Sequence, residues 1–483
     1  MRKTFYFYDL ETSGLKSRTD RIMQFAGIRT DEDFQPIGNP TNLLVELPDD
    51  TLPSPSAVMV TGITPMATRA DGMSEREFCQ FLTEEIALPN TTIMGYNSIR
   101  FDDEFIRNAL WRNFYDPYEW QWRDGRSRWD LLDVVRMTRA LRPDGIKWPV
   151  TEEGKPTNRL ELITKENQIA HEHAHDALSD VEALISVTKL IKEKQPQLFD
   201  FLYSMREKDA VARVANMQKP EPFVYSSGRY GSEHNFTTVA YPIADLGKGQ
   251  LLVYDLRYNI DELLDQEKQA RAAGEIDQNK PWRERQPWER GFSPIVKKIQ
   301  YNHCPAVAPL GVLEKEDGWR RIGLDQQTIE RNLISIKRHP EFIKRIVNLS
   351  KREYPLERDV EQRIYDGFAS KADMNICAVV RANDGDDLAH FKAQFQDVRL
   401  NELLIHYKAR NFPSIMNEQE SEIWQKYRRD RLERAAPGFL REIAIIRKEL
   451  DQGKTRAGRT SEDCEFLLGE LQLWYQSLQE SGE

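Results

Sequence analysis

The sequence predicts an α/β layer domain, then a small mostly-β domain, then a helical C-terminal domain. Over roughly the first 200 residues, strand-like runs alternate with amphipathic helix patterns, which is typical of α/β layer folds. The middle of the chain has short β-favouring runs separated by turn residues, and from about residue 326 apolar residues recur at helical spacing. A chain of 483 residues is long enough for such a division. The predicted domains span residues 1–198, 199–350 and 351–483.

The individual elements follow from their local sequence. In the first domain, aromatic and β-branched runs predict strands over residues 4–9, 21–29, 42–47 and 92–96. Apolar residues at helical spacing predict helices over residues 75–87, 102–112, 130–141, 160–168 and 176–194. In the middle domain, strands are predicted over residues 236–243, 251–256 and 306–312, with a turn at Gly247-Lys248-Gly249 between the first two.

Composition argues against several classes of protein. No apolar run is long enough to cross a membrane, and the first residues lead into a strand without the apolar segment of a signal peptide. The cysteines are scattered without metal-ligand spacing, which is typical of reduced thiols; they are Cys79, Cys304, Cys377 and Cys464. We therefore expect a cytoplasmic protein with no membrane contact.

The charge distribution bears on nucleic acid as a partner. A net charge of −10 argues mildly against it, but the local field matters more than the total. Basic residues concentrate in three stretches, over residues 123–147, 337–352 and 426–434. Such stretches suit a channel for a phosphate backbone. The alternative is that helices simply carry charged, solvated faces.

The most informative motif ends the first predicted strand. Residues two apart in a strand point to the same face, so Asp9 and Glu11 present two carboxylates side by side while Leu10 points away. Two carboxylates held this close repel each other unless a cation lies between them. Hard divalent cations prefer such oxygen ligands. The pattern predicts a divalent metal site at the end of this strand.

A third carboxylate is predicted at a strand-to-helix junction. The strand over residues 92–96 ends in a polar turn at Asn97, and Asp102 opens the following helix. Sites in open α/β sheets usually lie at such junctions. The neighbouring Asp103 is the alternative ligand here. Asp130, another acid near the motifs, is predicted to cap the helix that follows it rather than to bind a metal.

The fourth candidate acid follows a histidine-rich segment. His175 and Asp180 are five residues apart, which is about 140° around a helix axis, so His175 must lie on a loop or first turn to share a site with Asp180. Asp176 is the rival ligand, but its position also suits a helix N-cap, and Asp180 is favoured because it lies further inside the helix. His171 and His173 are the rivals of His175.

Taken in order, Asp9-x-Glu11, Asn97…Phe101-Asp102 and His175-x4-Asp180 resemble the three motifs of the DEDDh 3′→5′ exonucleases, which have a ribonuclease H-like fold. One such motif occurs often by chance, whereas three in the expected structural context are specific. Further segments are similar to bacterial exonuclease I, a family with an SH3-like middle domain; they are residues 113–118, 127–133, 159–161 and 407–413. The resemblance covers nearly the whole chain. It departs at residues 265–290, a charged stretch that contains tryptophan.

The resemblance implies a monomeric exodeoxyribonuclease that degrades single-stranded DNA from the 3′ end to 5′-mononucleotides, in repair and recombination. It implies two Mg²⁺ ions, for which Mn²⁺ can substitute, at Asp9, Glu11, Asp102 and Asp180. Glu11 also belongs to the implied catalytic set, together with His175 as the general base, a role that suits a group whose unperturbed pKa is near ~6.5.

The resemblance also places five residues along the path of the DNA: Arg107, Tyr118, Trp122, Arg136 and Arg159. The arginines suit phosphate contacts, and the aromatic residues suit stacking on bases. The alternative is that the aromatic residues belong to the core. The family recruits the single-stranded DNA-binding protein through that protein's acidic C-terminal tail, and we expect residues 337–352 to contribute to this contact.

Two other functions fit the same residues. The motifs do not distinguish DNA from RNA, because a 2′-hydroxyl is accepted or rejected by the shape of the pocket. The second alternative is a scaffold that binds single strands at a vestigial site. The presence of all five motif residues argues against the scaffold.

Overall fold

The computed structural model describes residues 2–171, 176–275, 280, 284–351, 359–383, 385–391 and 394–480. The chain folds into two compact units. Residues 1–127, 172–182 and 355–483 form the first unit, and residues 128–171 and 183–354 form the second. Each unit combines distant stretches of the chain. The units therefore differ from the three consecutive domains predicted from the sequence, whose boundaries stay a prediction.

A five-stranded mixed sheet is built around the first strand of the chain, in the order β3-β2-β1-β4-β5. Its strands are β1 (Thr4–Thr12), β2 (Ile22–Thr30), β3 (Thr41–Leu44), β4 (Thr91–Gly95) and β5 (Ser127–Asp130). β2 pairs antiparallel with β1 and with β3, whereas β4 runs parallel to β1. β1 has neighbours on both sides, which fits its almost wholly buried aromatic sequence.

Between residue 55 and residue 214, the described part of the chain contains nine α-helices. They are α1 (Pro55–Thr61), α2 (Pro65–Asp71), α3 (Glu75–Phe81), α4 (Asp102–Arg112), α5 (Leu131–Leu141), α6 (Leu160–Glu166), α7 (Ala177–Lys194), α8 (Pro196–Ser204) and α9 (Lys208–Val214). The helices predicted over residues 75–87, 102–112, 130–141, 160–168 and 176–194 are confirmed, although α3 passes into a π-helical turn at Leu82–Ile86. Asp130 accepts a hydrogen bond from the Leu132 N–H, so its predicted capping role is also confirmed.

A second five-stranded sheet follows, antiparallel throughout, in the order β10-β6-β7-β8-β9. Its strands are β6 (Phe223–Ser226), β7 (Thr237–Gly247), β8 (Gln250–Asp255), β9 (Val296–Gln300) and β10 (Val307–Pro309). The prediction of a small, mostly-β region is confirmed. The strand predicted over residues 306–312 is only three residues long, because the chain turns into a 3-10 helix at Leu310–Glu314, directly after Pro309.

The remaining helices are α10 (Ile260–Ala272), α11 (Gly318–Arg321), α12 (Gln326–Lys337), α13 (Pro340–Ser350), α14 (Lys371–Ala382), α15 (Gly385–His390), α16 (Val398–Asn411), α17 (Glu418–Asp451) and α18 (Ser461–Glu480). The helical C-terminal region is therefore confirmed. α10 covers the start of the charged stretch at residues 265–290, of which residues 276–279 and 281–283 lie outside the described residues. No helix in the described ranges combines the length and the apolar character that crossing a membrane requires.

Buried charges connect the C-terminal helices of the first unit to its sheet. The carboxylates of Asp50 and Glu361 are completely buried. Arg410 contacts both, at 2.7 Å from Asp50 and 2.5 Å from Glu361, and Arg21 lies 2.7 Å from Glu361. Burial alone would raise the pKa of Glu361, but Arg410 and Arg21 outweigh it and hold that pKa well below its usual value. The network therefore carries ionised groups in the interior.

We expect Glu361→Gln to lower the melting temperature strongly. Removing one member of a buried ion network leaves uncompensated charge and costs roughly 3–5 kcal/mol. The exposed pair of Glu119 and Arg123 provides the control, because Glu119→Gln breaks a surface ion pair, which contributes little to stability. Differential scanning fluorimetry near neutral pH compares the two variants. Equal shifts would contradict a supporting role of the buried network. Folding lowers the pKa of Glu361. Its stabilising effect on the folded protein is therefore complete above its unfolded-state pKa and is lost as the pH falls through its folded-state pKa.

Candidate metal centre

β1 supplies two of the predicted ligands from one face. Asp9 and Glu11 are half-buried, whereas the alternate residues Tyr8 and Leu10 belong to the hydrophobic core. The pairing of β1 with β2 shifts register directly after Glu11. Such a bulge bends the strand and is common beside functional sites. The strand therefore ends its regular pairing at the second carboxylate.

α7 brings a third carboxylate to the same place. Asp180 lies in the first turn of this helix. The rival acid, Asp176, stands just before the helix, where its Oδ2 accepts a hydrogen bond from the Ser179 N–H at 3.1 Å. The Asp176 carbonyl also accepts from the Asp180 N–H at 3.0 Å. Asp176 thus makes the capping contact expected of it, and Asp180 is the acid that projects from the formed helix.

The carboxylates of Asp9, Glu11 and Asp180 form a tight cluster in the first unit. Their ligand oxygens all lie within 4.8 Å of one another. No other such group of metal-binding side chains occurs in the part of the chain that the structure describes.

The electrostatics of this cluster call for a cation. Burial raises the pKa of Asp9 to about 8, and the charge of Asp180 adds to the effect. Burial likewise raises the pKa of Glu11 to about 9, with further contributions from Asp9, Asp180 and Asp176. The three groups therefore cannot all ionise near neutral pH unless a positive charge joins them. An all-oxygen, partly buried donor set of this kind fits a hard divalent cation.

Asp102 is placed apart from this cluster. It is the first residue of α4 and is buried, but it does not belong to the 4.8 Å set. Its rival Asp103 accepts a hydrogen bond from the Tyr8 hydroxyl at 2.6 Å in the core. Asp103 is therefore engaged in packing, which favours Asp102 as the metal-binding acid of this helix.

The histidines of the third motif are only partly described. His175 and its rival His173 lie outside the described residues. His171 is half-buried, and its Nδ1 lies 3.0 Å from the Thr164 hydroxyl oxygen. That contact gives His171 a structural partner on α6.

Arg107 is buried rather than presented to solvent. Its guanidinium lies 2.6 Å from Glu104 and donates to the Gln121 side chain at 2.8 Å. It also lies 5.3 Å from the ring of Tyr118. Arg107 therefore packs against the ring of Tyr118, whereas Trp122, at 62% exposure, presents its ring to solvent.

Arg136 and Arg159 belong to the second unit. Arg136 lies on α5, 2.5 Å from Asp133, and packs over the ring of Phe236 at 5.6 Å. Arg159 precedes α6, and its side chain is 74% exposed, with Glu161 at 4.0 Å. Arg159 therefore has the exposure that a phosphate contact needs, whereas the guanidinium of Arg136 is held by Asp133 and Phe236.

Two aromatic residues that the sequence analysis missed extend the surface at Tyr118. Phe368 is 85% exposed, and its ring meets Tyr118 edge to face at a centroid distance of 5.7 Å. The Tyr365 hydroxyl donates a hydrogen bond to Glu104. The signal in the sequence was a pair of aromatic residues around Gly367, in a loop that shows neither helical nor strand periodicity.

The mixed sheet with acids at the end of its central strand defines an exonuclease-type domain with a ribonuclease H-like fold. Three family models match the chain in order: Exonuclease over residues 6–188, Exonuclease I SH3-like domain over residues 206–351, and Exonuclease I C-terminal domain over residues 358–478. The chain belongs to the exonuclease I family. The fold class and the resemblance predicted from the sequence are thereby confirmed.

Curated relatives and solved structures agree with this assignment. Exodeoxyribonuclease I of Haemophilus influenzae is 40% identical over 441 residues, covering 90% of this chain and 92% of the relative. That of Escherichia coli is 37% identical over 438 residues, covering 89% and 90%. The crystal structure of E. coli exonuclease I with a dA16 oligonucleotide superposes with a TM-score of 0.88 at 34% identity, over 99% of this chain and 100% of that chain. The crystal structure of SSB/exonuclease I with the inhibitor CFAM gives a TM-score of 0.85 at 34% identity, with the same coverage.

We expect Asp9→Asn to stabilise the metal-free protein and to abolish stabilisation by Mg²⁺. The raised pKa values of Asp9 and Glu11 mean that the folded state binds more protons than the unfolded state between about pH 4 and 8, so stability falls as the pH rises through this window. Removing one carboxylate relieves the repulsion. We expect the melting temperature in EDTA at pH 8 to rise by roughly 2 °C or more.

Thermal scans at pH 5 and pH 8, with EDTA and with Mg²⁺, measure this effect. Asp430→Asn, which removes an exposed acid on α17, is the control and should leave the response to Mg²⁺ unchanged. A metal-free Asp9→Asn protein that melts below the parent at pH 8 would show that repulsion does not dominate the cluster.

Proposed function

We propose that this protein is a metal-dependent exodeoxyribonuclease that degrades single-stranded DNA from its 3′ end to 5′-mononucleotides, in DNA repair and recombination. The observation that carries the proposal is the carboxylate cluster of Asp9, Glu11 and Asp180, on the exonuclease domain of a member of the exonuclease I family. Its relatives are exodeoxyribonucleases, and one of them has been solved with a single-stranded oligonucleotide.

Four acids are the proposed ligands of two Mg²⁺ ions, with Mn²⁺ as a substitute: Asp9, Glu11, Asp102 and Asp180. Bound divalent ions supply an activated water and neutralise the charge on the scissile phosphate. The protein contributes by holding three carboxylates within 4.8 Å, partly removed from solvent. Because the folded protein raises the pKa values of Asp9 and Glu11, metal binding releases protons and strengthens with pH.

His175 is the proposed general base, which takes the proton from the attacking water. We expect His175→Ala to lower kcat by at least about a hundredfold, while the Kd for DNA changes little, because a general base acts in the chemical step. His171→Ala is the matched control, since His171 contacts Thr164 and has no proposed part in catalysis. Single-turnover rates and fluorescence anisotropy measure the two quantities. Equal losses in rate and affinity would make His175 a structural residue.

Aromatic stacking and phosphate contacts are the proposed means of holding the DNA. Tyr118 and Trp122 offer rings on which bases stack without regard to sequence. Arg107, which packs against the ring of Tyr118, is proposed to hold that ring in place. Arg136 and Arg159 are the proposed phosphate contacts, a role that requires binding to weaken steeply as salt rises.

The single-stranded DNA-binding protein, through its acidic C-terminal tail, is the proposed protein partner. The support is the solved structure of SSB/exonuclease I and the basic stretch at residues 337–352. Within this stretch Arg345 lies 2.9 Å from Glu267, and Lys337 packs over Tyr241 at 5.5 Å. Arg338 and Lys344 are therefore the side chains that we propose for the acidic tail. The protein is proposed to act as a monomer.

Time-resolved digestion of 5′-labelled single-stranded DNA tests the proposed activity. We expect a ladder that shortens from the 3′ end with Mg²⁺, no cleavage in EDTA, and intact RNA of the same sequence. Asp9→Ala should abolish cleavage, which excludes a contaminating nuclease. Faster cleavage of the RNA would identify an RNA-trimming enzyme instead. Intact DNA with retained binding would identify a single-strand-binding scaffold.

A further inference from the structure

A buried hydrogen bond joins the two elements that carry separate proposed ligands. The Tyr8 hydroxyl on β1 donates to the Asp103 carboxylate on α4 at 2.6 Å. Tyr8 is 2% exposed and Asp103 is 1% exposed. Each stands next in sequence to a proposed metal ligand, Asp9 in the strand and Asp102 in the helix. The hydrogen bond therefore connects β1 beside Asp9 to α4 beside Asp102.

The residue that precedes α4 does not cap the helix through its side chain. This N-cap residue, Phe101, has φ −130° and ψ −79° and makes no capping hydrogen bond through its side chain. Helix starts without a cap leave backbone donors unsatisfied and are less well defined. The first turn also carries three adjacent acids, Asp102, Asp103 and Glu104, of which Glu104 pairs with Arg107 and accepts a hydrogen bond from the Tyr365 hydroxyl. The contact from Tyr8 to Asp103 is the buried constraint that ties this turn directly to β1.

Tyr8 itself is held rigidly. Its ring stacks on Phe25 at 6.0 Å and meets Trp120 edge-on at 6.3 Å. A side chain fixed on these sides transmits the position of β1 to the first turn of α4.

We propose that Tyr8 and Asp103 are positioning residues, whose hydrogen bond sets the place of α4 along β1 and so holds Asp102 where it can share divalent cations with the carboxylates of β1. The inference rests on the proposed ligand set. Metal coordination needs ligand positions defined to within about 0.5 Å or better. Loss of the Tyr8 hydroxyl removes the buried contact that relates the first turn of α4 to β1.

Tyr8→Phe tests the proposal because it removes one hydroxyl and keeps the packed ring. We expect Mn²⁺ binding, measured by isothermal titration calorimetry, to weaken by about tenfold or more, as for other residues that orient metal ligands. We expect kcat at saturating DNA to fall by a similar factor while KM for DNA changes less than twofold. Raising the metal concentration should restore part of the rate.

Tyr6→Phe is the matched control. Tyr6 lies two residues earlier on β1 and packs in the same core, and no hydrogen bond between its hydroxyl and α4 is found among the described residues. We expect its Mn²⁺ affinity and kcat to match those of the parent. If Tyr8→Phe lowers only the melting temperature and leaves Mn²⁺ affinity unchanged, the hydroxyl is merely structural and the proposal is overturned.

Variants of Asp103 and Asp102 distinguish loss of the Tyr8–Asp103 hydrogen bond from failure of the proposed metal ligands. Asp103→Asn keeps an acceptor for the Tyr8 hydroxyl and should bind Mn²⁺ nearly as the parent does, whereas Asp103→Ala should resemble Tyr8→Phe. Normal Mn²⁺ binding by Asp103→Ala would also overturn the proposal. In a protein that already carries Asp102→Asn, adding Tyr8→Phe should not weaken Mn²⁺ binding further, because both substitutions act through Asp102. If Asp102→Asn alone changes neither Mn²⁺ binding nor activity, the proposed ligand set has failed instead.

Discussion

The mutual repulsion of three carboxylates is the constraint around which the first compact unit is organised. Asp9, Glu11 and Asp180 are brought within 4.8 Å by a strand and a helix that are more than 150 residues apart in sequence. Without a cation between them, ionised carboxylates at this distance repel each other. The surrounding core must hold them together, and the aromatic face of β1, packed opposite the acids, supplies much of that rigidity.

The same unit also contains buried carboxylates that are paired with arginines, close to the loop that follows β1. The loop between β1 and β2 is fixed by Arg21, whose N–H donates to the Ser13 hydroxyl at 2.8 Å. It is also fixed by Arg431, which donates to the Thr19 carbonyl at 2.5 Å. Both arginines belong to the buried network of Asp50 and Glu361. The loop that follows the acidic cluster is thus anchored by ion pairs between buried arginines and carboxylates, whereas the cluster itself consists of carboxylates.

The elements with strong local sequence signals could be predicted from the sequence. β1 and the helices from α3 to α7 follow from aromatic runs and helical periodicity, and Asp176 and Asp130 follow from capping chemistry. The short strands β5, β6 and β9 and the seven-residue helices α1 and α2 were missed, although Ser54 and Thr64 before prolines are helix-start signals. Elements this short are defined by their tertiary neighbours more than by their own pattern.

Only the part of the site that depends on local sequence could be predicted. The spacing of Asp9 and Glu11 follows from strand geometry, but the burial of Arg107 against Glu104 and Gln121 depends on contacts that no local pattern encodes. The pairing of Tyr8 with Asp103, and the approach of Phe368 to Tyr118, join residues about 95 and 250 positions apart and were equally invisible. Long-range side-chain partners of this kind require the fold to be known.

The discontinuous make-up of the first unit also has a consequence for biosynthesis. Asp9 leaves the ribosome long before Glu361 and Arg410; at about 5–20 residues per second the interval is roughly 20–70 s. Throughout that time Arg21 and Asp50 exist without the partners that neutralise them in the finished protein. The sheet that carries the acids therefore lacks its final packing until Glu361 and Arg410 have been made. The first unit is thus completed by a part of the chain that is synthesised late.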